Sequence, residues 1–341
     1  MTIASGGRQN EVYVQIGHLR LNMRSLHYDL IRLGACVMII LMHSPLPMDE
    51  QYGPILAGLS YLTAPGIGLF FLVSGALLLR KKEGVAFRSK LFLQRRFSKV
   101  LIPTVCWASV GWLLQSLGIR NTENGVLWFM YVLAGLYLLA PILIRWLEVA
   151  SRREVRFYLL LWALSLCYPY AKNLFDLDES DTGWIYYFHG YVGYFILGSY
   201  LSRYKLNKNE LVGFWCAFLV FAVFLPCMAF GFRWQVDFYS WFWYLSMSVA
   251  LQCVLWWKVA ERIAPYLEHF RETITSLSKL SFGIYLVHIL VMRNFLWKMS
   301  WMQESAGIVQ ILVCAILTFV LSALFCWCLS KWKYSKYIIG V

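Results

Sequence analysis

Arg32 and His43 stand inside one apolar stretch, Tyr28 to Ser44, and their types and spacing promise chemistry. A guanidinium binds anions, and an imidazole takes up and releases protons near neutral pH. Ionisable groups in a membrane-crossing segment are costly unless they face a cavity or a partner. Ten residues separate the two. At ~3.6 residues per turn they share a helix face, roughly 16 Å apart along the axis. A cation at one end and a titratable ring at the other make a track for a long, anionic, reactive ligand. Asp29 comes three residues before Arg32, near enough to share a hydrogen bond with it. The plainer account has Arg32 snorkelling to one surface and His43 resting in the other interface. It suits either residue alone better than both on one face with an acid alongside.

Further candidates fall at two depths. Ser74 and Gly75 end the run Phe70-Phe71-Leu72-Val73-Ser74-Gly75, at a depth close to Arg32. Glycine there would admit a ligand, although a small-residue helix contact is the simpler use of the pair. Arg95, Arg96 and Lys99 lie in the basic run before the third span. Such groups bind phosphates, and they also serve ordinary membrane topology. At the outer level stand Trp128 and His189, with Tyr137 deeper in the span of Trp128. Tyr285, His288 and Arg293 share a ninth apolar segment. An aromatic belt accounts for Trp128 by itself, and a structural role is commoner for a lone histidine such as His189. Taken together, the inner level is cationic and suits phosphates. The outer level holds imidazoles and aromatics, and suits base catalysis on a sugar hydroxyl.

The elements that must position these groups are transmembrane helices. The chain is 341 residues long, 60% hydrophobic and 14% charged, with mean hydropathy +0.58, a balance that excludes an ordinary soluble domain. The expected fold class is all-α, a polytopic membrane protein of about ten helices near 28–46, 58–79, 100–117, 126–144, 157–171, 184–202, 211–230, 238–257, 280–297 and 306–330. Of the 31 Lys and Arg, 25 then fall in alternate segments with the N-terminus, four in the opposite loops, and Arg32 and Arg293 within spans. That asymmetry predicts both termini in the cytoplasm, explains the net charge of +13 and leaves no call for nucleic acid. The acidic loop from Lys172 to Thr182 falls outside. Residues 1–27 form a polar cytoplasmic segment with no apolar core of a cleaved signal. A single domain covers 28–330, and 331–341 is a cytoplasmic tail. The nine cysteines show no CxxC pair or zinc spacing and read as packing residues, with no metal expected.

These motifs, in this order, resemble the acyltransferase 3 family of integral membrane proteins. The likeness rests on Arg32 with His43, on FFLVSG at Phe70 to Gly75, on RRFSKVLIP at Arg95 to Pro103, on LWF and LYLLAP between Leu127 and Pro141, and on SFGIYLVH at Ser281 to His288. It covers roughly residues 26 to 330 and looks most like the short branch, whose members modify surface polysaccharides such as enterobacterial common antigen. The resemblance implies a multi-pass protein of a bacterial cytoplasmic membrane that O-acetylates a carbohydrate, with acetyl-CoA as co-substrate and no permanently bound cofactor. The functional Arg and His of the family fall on Arg32 and His43, and its basic pair falls on Arg96 and Lys99. Lysine in the second place keeps the charge but not the bidentate fork. On this reading Arg32, Ser74, Gly75, Arg95, Arg96 and Lys99 hold the donor. Trp128, Tyr137, His189, Tyr285 and His288 meet the acceptor. His43 acts as general base or as a transient acetyl carrier, and Asp29 orients Arg32. The expected partners are the lipid bilayer, acetyl-CoA and the carbohydrate, with a homo-oligomer left open. A secondary transporter or flippase for an anionic or glycosylated solute is the competing class.

Overall fold

The computed structural model describes residues 25–46, 53–80, 88–118, 127–175, 187–231, 241–304 and 307–340. Helices carry the architecture, with no strand among the described residues. Seven stretches of those residues are long and apolar enough to cross a membrane: Leu26–His43, Ile55–Leu78, Ser89–Ser116, Trp128–Val149, Lys208–Ala229, Met247–Lys298 and Gly307–Ser330.

The first helix among the described residues, α1 (Leu26–His43), lies at the centre. It packs against α2 (Gly53–Thr63), α3 (Pro65–Leu78), α11 (Met247–Ile263), α12 (Arg271–Asn294) and α14 (Gly307–Ser330). Pro65 opens α3, where its missing N–H costs nothing. Nearly every residue of α3 is buried, as expected of a helix that is apolar all round. Across it lies α8 (Val192–Arg203), in close backbone contact. A Cβ on Gly75 would stand 1.8 Å from the Phe195 carbonyl oxygen, and one on Gly198 would stand 1.8 Å from that of Leu72. Only glycine at both positions allows this crossing.

Several boundaries differ from the expected ones for physical reasons. The basic run before the third span is helical: α4 (Ser89–Ser116) is 28 residues long, because neither Gly nor Pro interrupts residues 88–102. The expected span 157–171 divides into α6 (Arg152–Leu166) and α7 (Tyr168–Phe175). Pro169 sits in the first turn of α7, where proline is tolerated. The eighth and ninth expected spans form one stretch, α11 and α12 joined by a 3-10 turn Ala264–Phe270 that contains Pro265. α5 (Trp128–Val149) continues past Pro141. α9 (Lys208–Ala217) passes through a π-helical segment, Phe218–Phe224, into α10 (Leu225–Gly231). The short α13 (Ser300–Glu304) precedes α14. Residues 1–24, 81–87 and most of the acidic loop, 176–182, lie outside the described residues.

Polar ties hold the periphery to this core. Asn207 and Ser151 each cap a helix in a reciprocal box with Glu210 and Glu154. Glu210 also accepts from Arg152 at 2.7 Å and from the Tyr200 hydroxyl at 2.6 Å, joining α6, α8 and α9. Arg203 donates to the carbonyls of Leu79 and Leu147, at the ends of α3 and α5. The tail also folds back: α15 (Ser335–Ile338) lies on α4, and Ile339 is fully buried.

Candidate active site

Arg32 and His43 sit on one unbroken helix, with His43 as its last residue. The end of that helix is pinned twice. Ser44 Oγ donates to the Ile40 carbonyl at 2.7 Å, and Gln310 of α14 donates to the Ser44 carbonyl at 3.2 Å. His43 Nδ1 lies 2.8 Å from the Ile39 carbonyl oxygen. A carbonyl only accepts, so Nδ1 carries the proton. In the neutral ring Nε2 therefore holds the lone pair, which is the arrangement a base needs.

At the other end four elements converge. The Tyr137 phenol of α5 interacts with Ser74 of α3 and lies in the field of Arg96 of α4 and Arg32 of α1. Arg32, Ser74 and Arg96 are partly exposed, whereas Tyr137 is buried. Arg96 also lies over the Phe92 ring, 5.9 Å from its centroid.

Around His43 the surroundings are aromatic. Its ring centroid is 5.3 Å from that of His288, which in turn is 5.6 Å from Tyr285. Tyr285 meets Phe129 at 5.2 Å, edge to face. Trp128 stacks on Tyr244 at 5.5 Å and lies 5.7 Å from Tyr191. The Tyr244 hydroxyl closes the wall, donating to Met42 Sδ at 3.2 Å. Aromatic faces of this kind stack on the apolar faces of sugar rings.

A family model described as an acyltransferase domain matches residues 26–327 of the chain. The chain belongs to the acyltransferase 3 family. No curated protein and no solved structure matches it. The chain is thus a membrane acyltransferase, and Arg32, His43 and both residue groups lie within the matched range.

The other candidate positions of this acyltransferase have different surroundings. Gly75 is turned into the α3–α8 crossing, against Phe195. Arg95 and Lys99 are exposed; of the three basic candidates on α4, Arg96 is the one grouped with Arg32. Tyr137 belongs with the cations and not with Trp128, which is about 13 Å away along the helix axis. His189 sits against α6, its Nδ1 3.4 Å from Ser165 Oγ. Asp29 is 1% exposed and accepts from Ser278 at 2.7 Å and from Thr275 at 3.1 Å, both on α12. Its carboxylate therefore fastens α1 to α12. Arg293 lies over the Trp297 ring at 5.3 Å and within electrostatic range of His288.

Tyr244, Tyr191 and Met42 join the site without a sequence motif of their own. The cluster Trp241-Phe242-Trp243-Tyr244 ahead of a span was the available signal for Tyr244. Among the described residues no group of three His, Cys, Asp or Glu is placed to hold a metal ion. An open groove of about 480 Å³ lies outside both groups, lined by Trp146, Arg153, Phe157 and Tyr158 among others.

Proposed function

We propose that this acyltransferase moves an acetyl group from cytoplasmic acetyl-CoA to a hydroxyl of a cell-surface or lipid-linked saccharide. One observation carries the reading. A single continuous helix holds a guanidinium within a cationic, hydroxyl-bearing group at one end and an imidazole within an aromatic wall at the other. The separation of roughly 16 Å is of the order of an extended pantetheine arm. Arg32 and Arg96 bind donor phosphates, with Ser74 and Tyr137 beside them, and Lys99 and Arg95 add charge at the entrance. The acceptor stacks on Trp128 and Tyr244.

His43 Nε2 takes the proton as the acceptor oxygen attacks the thioester carbon. An O–C bond forms and the C–S bond breaks. The proton on His43 then passes to the departing thiolate, giving free CoA thiol, so the base is restored without net proton uptake. Asp29 serves this chemistry by keeping α1 in register with α12. The positive charge of the alternate loops supports ten crossings with both termini in the cytoplasm, in the cytoplasmic membrane of a bacterium.

The test is radiolabelled acetyl-CoA supplied with saccharide acceptors to the purified full chain in detergent. Acetyl transfer is expected, with His43→Ala lowering it by a factor on the order of 100 or more while the protein still inserts. Arg32→Ala should chiefly raise KM for acetyl-CoA. Full activity in a well-inserted His43→Ala protein would remove the catalytic role, and solute movement without thioester consumption would favour a transporter.

A further inference from the structure

Arg32 and His43 are both partly exposed, yet the face of α1 between them is closed. Ala35, Cys36, Ile39 and Ile40 follow Arg32 on that face at helical spacing, and all four are buried. A packed layer therefore separates the cationic group from the aromatic one. Aromatic rings cross that layer. Phe129 of α5 meets Phe71 of α3 at 4.7 Å and Tyr285 of α12 at 5.2 Å, and all three rings are buried. One side chain thus bridges three helices. Its depth follows from its neighbours. α12 runs parallel to α1, because Ser278 meets Asp29 and His288 meets His43. Tyr285 precedes His288 by three residues and so stands roughly 4.5 Å nearer the cationic end. Phe129 precedes Tyr137 by eight residues and stands roughly 12 Å nearer the aromatic end. The bridge therefore lies between Tyr137 and His43, across the route that a thioester takes from one group to the other.

We propose that Phe129 is a specificity-determining residue, its ring sealing the donor side from the acceptor side so that the acetyl group reaches the saccharide and not water. The proposal rests on reading the reaction as acetyl transfer with His43 as the base. A base that accepts a proton from a sugar hydroxyl accepts one from water as well, and water is the smaller and more abundant nucleophile. Hydrolysis is then the competing reaction. The water oxygen attacks the thioester carbon, an O–C bond forms, the C–S bond breaks, and His43 passes the proton to the thiolate. The products are acetate and free CoA thiol. Phe129 and Phe71 carry no polar side-chain atom, so a file of water through their contact has no partner to hold it. The Phe129 ring turns on two side-chain bonds, so passage of the narrow pantetheine arm asks for a change of rotamer and not for parted helices. The arm fills the opening that it makes, and the aromatic wall beyond is occupied by the saccharide.

The test supplies acetyl-CoA without acceptor to the full chain in nanodiscs and reads the release of free thiol. Wild type should hydrolyse the thioester slowly. Phe129→Ala should raise that rate on the order of 10-fold or more. Phe129→Leu keeps most of the apolar volume and should stay within about twofold of wild type. Phe129→Ala combined with His43→Ala should fall back to the wild-type rate. A well-inserted Phe129→Ala protein that hydrolyses no faster overturns the proposal, and so does a gain that survives the loss of His43. A second readout needs no turnover. Leu133 lies one turn nearer Tyr137 on α5 and is buried. Leu133→Cys protein should resist a charged thiol reagent at that position and react there once Phe129→Ala is added, with the labelled peptide told from the native cysteines by mass spectrometry. Equal labelling with and without the Phe129 ring overturns the proposal. If the wild-type protein transfers no acetyl group, the functional reading falls by itself, and the barrier is still judged by the labelling.

Discussion

At the scale of single residues, what matters is which atom of each polar group is already committed. The imidazoles of His43 and His288 both give Nδ1–H to a carbonyl of their own helix, so helix geometry alone selects the tautomer that presents Nε2 as the base. Asp29 is engaged in another way, one oxygen accepting from Ser278 and the other from Thr275. Removing the carboxylate would leave two hydroxyls in a tight helix contact without their acceptor. Asp29→Ala is therefore expected to lower stability by about 1–3 kcal/mol, read as an earlier thermal transition in detergent. The double variant with Ser278→Ala should lose less than the sum of the two single losses, because both remove one interaction. Strict additivity would show that the two side chains act independently and that Asp29 does not tie α1 to α12.

At the scale of elements, the position of the site depends on how closely α3 and α8 approach. Gly75→Ala would put a methyl group where the Phe195 carbonyl now stands. The helices would have to part, at a cost of about 1–3 kcal/mol or more. The expected signature is a less stable protein whose surviving fraction keeps its KM for acetyl-CoA; a selective rise in KM at unchanged stability would instead place Gly75 in the donor site. The difference also shows what the sequence could reveal. An all-helical chain with several membrane-crossing stretches was legible because lipid selects apolar composition whatever the packing, and the helix bearing Arg32 and His43 stood out because charge inside such a span demands a reason. The role of Gly75 was not, since Ser-Gly reads alike as a ligand cradle and as a helix contact. The helical start at Ser89 was hidden too, because no apolar residue run marks it. Tyr191 and Tyr244 were lost among 21 tyrosines, and only tertiary packing distinguishes them.

At the scale of the whole molecule, the C-terminal tail folds back on the helix that carries Arg96. Pro103 cannot donate to the Lys99 carbonyl, so α4 carries an open acceptor one turn from Arg96. The tail closes over that point. A Cβ on Gly340, whose φ is +72°, would lie 3.2 Å from the Lys99 oxygen, and Trp107 Nε1 donates to the Ile338 carbonyl at 2.9 Å. Ile339 is buried against Gly283 of α12. The last residues thus brace α4 against the helix that carries His288, and with it the placement of Arg96 relative to Arg32. Ending the chain after Tyr334 removes α15 and the Ile339 contact, a burial worth about 1.5–3 kcal/mol. The shortened protein should unfold earlier, and its KM for acetyl-CoA should rise more than its kcat falls, because the imidazole end is held separately by Gln310 on Ser44. Thermal unfolding and steady-state kinetics of the truncated chain decide the matter. Wild-type stability and donor affinity together would mean that α4 holds its position without the tail.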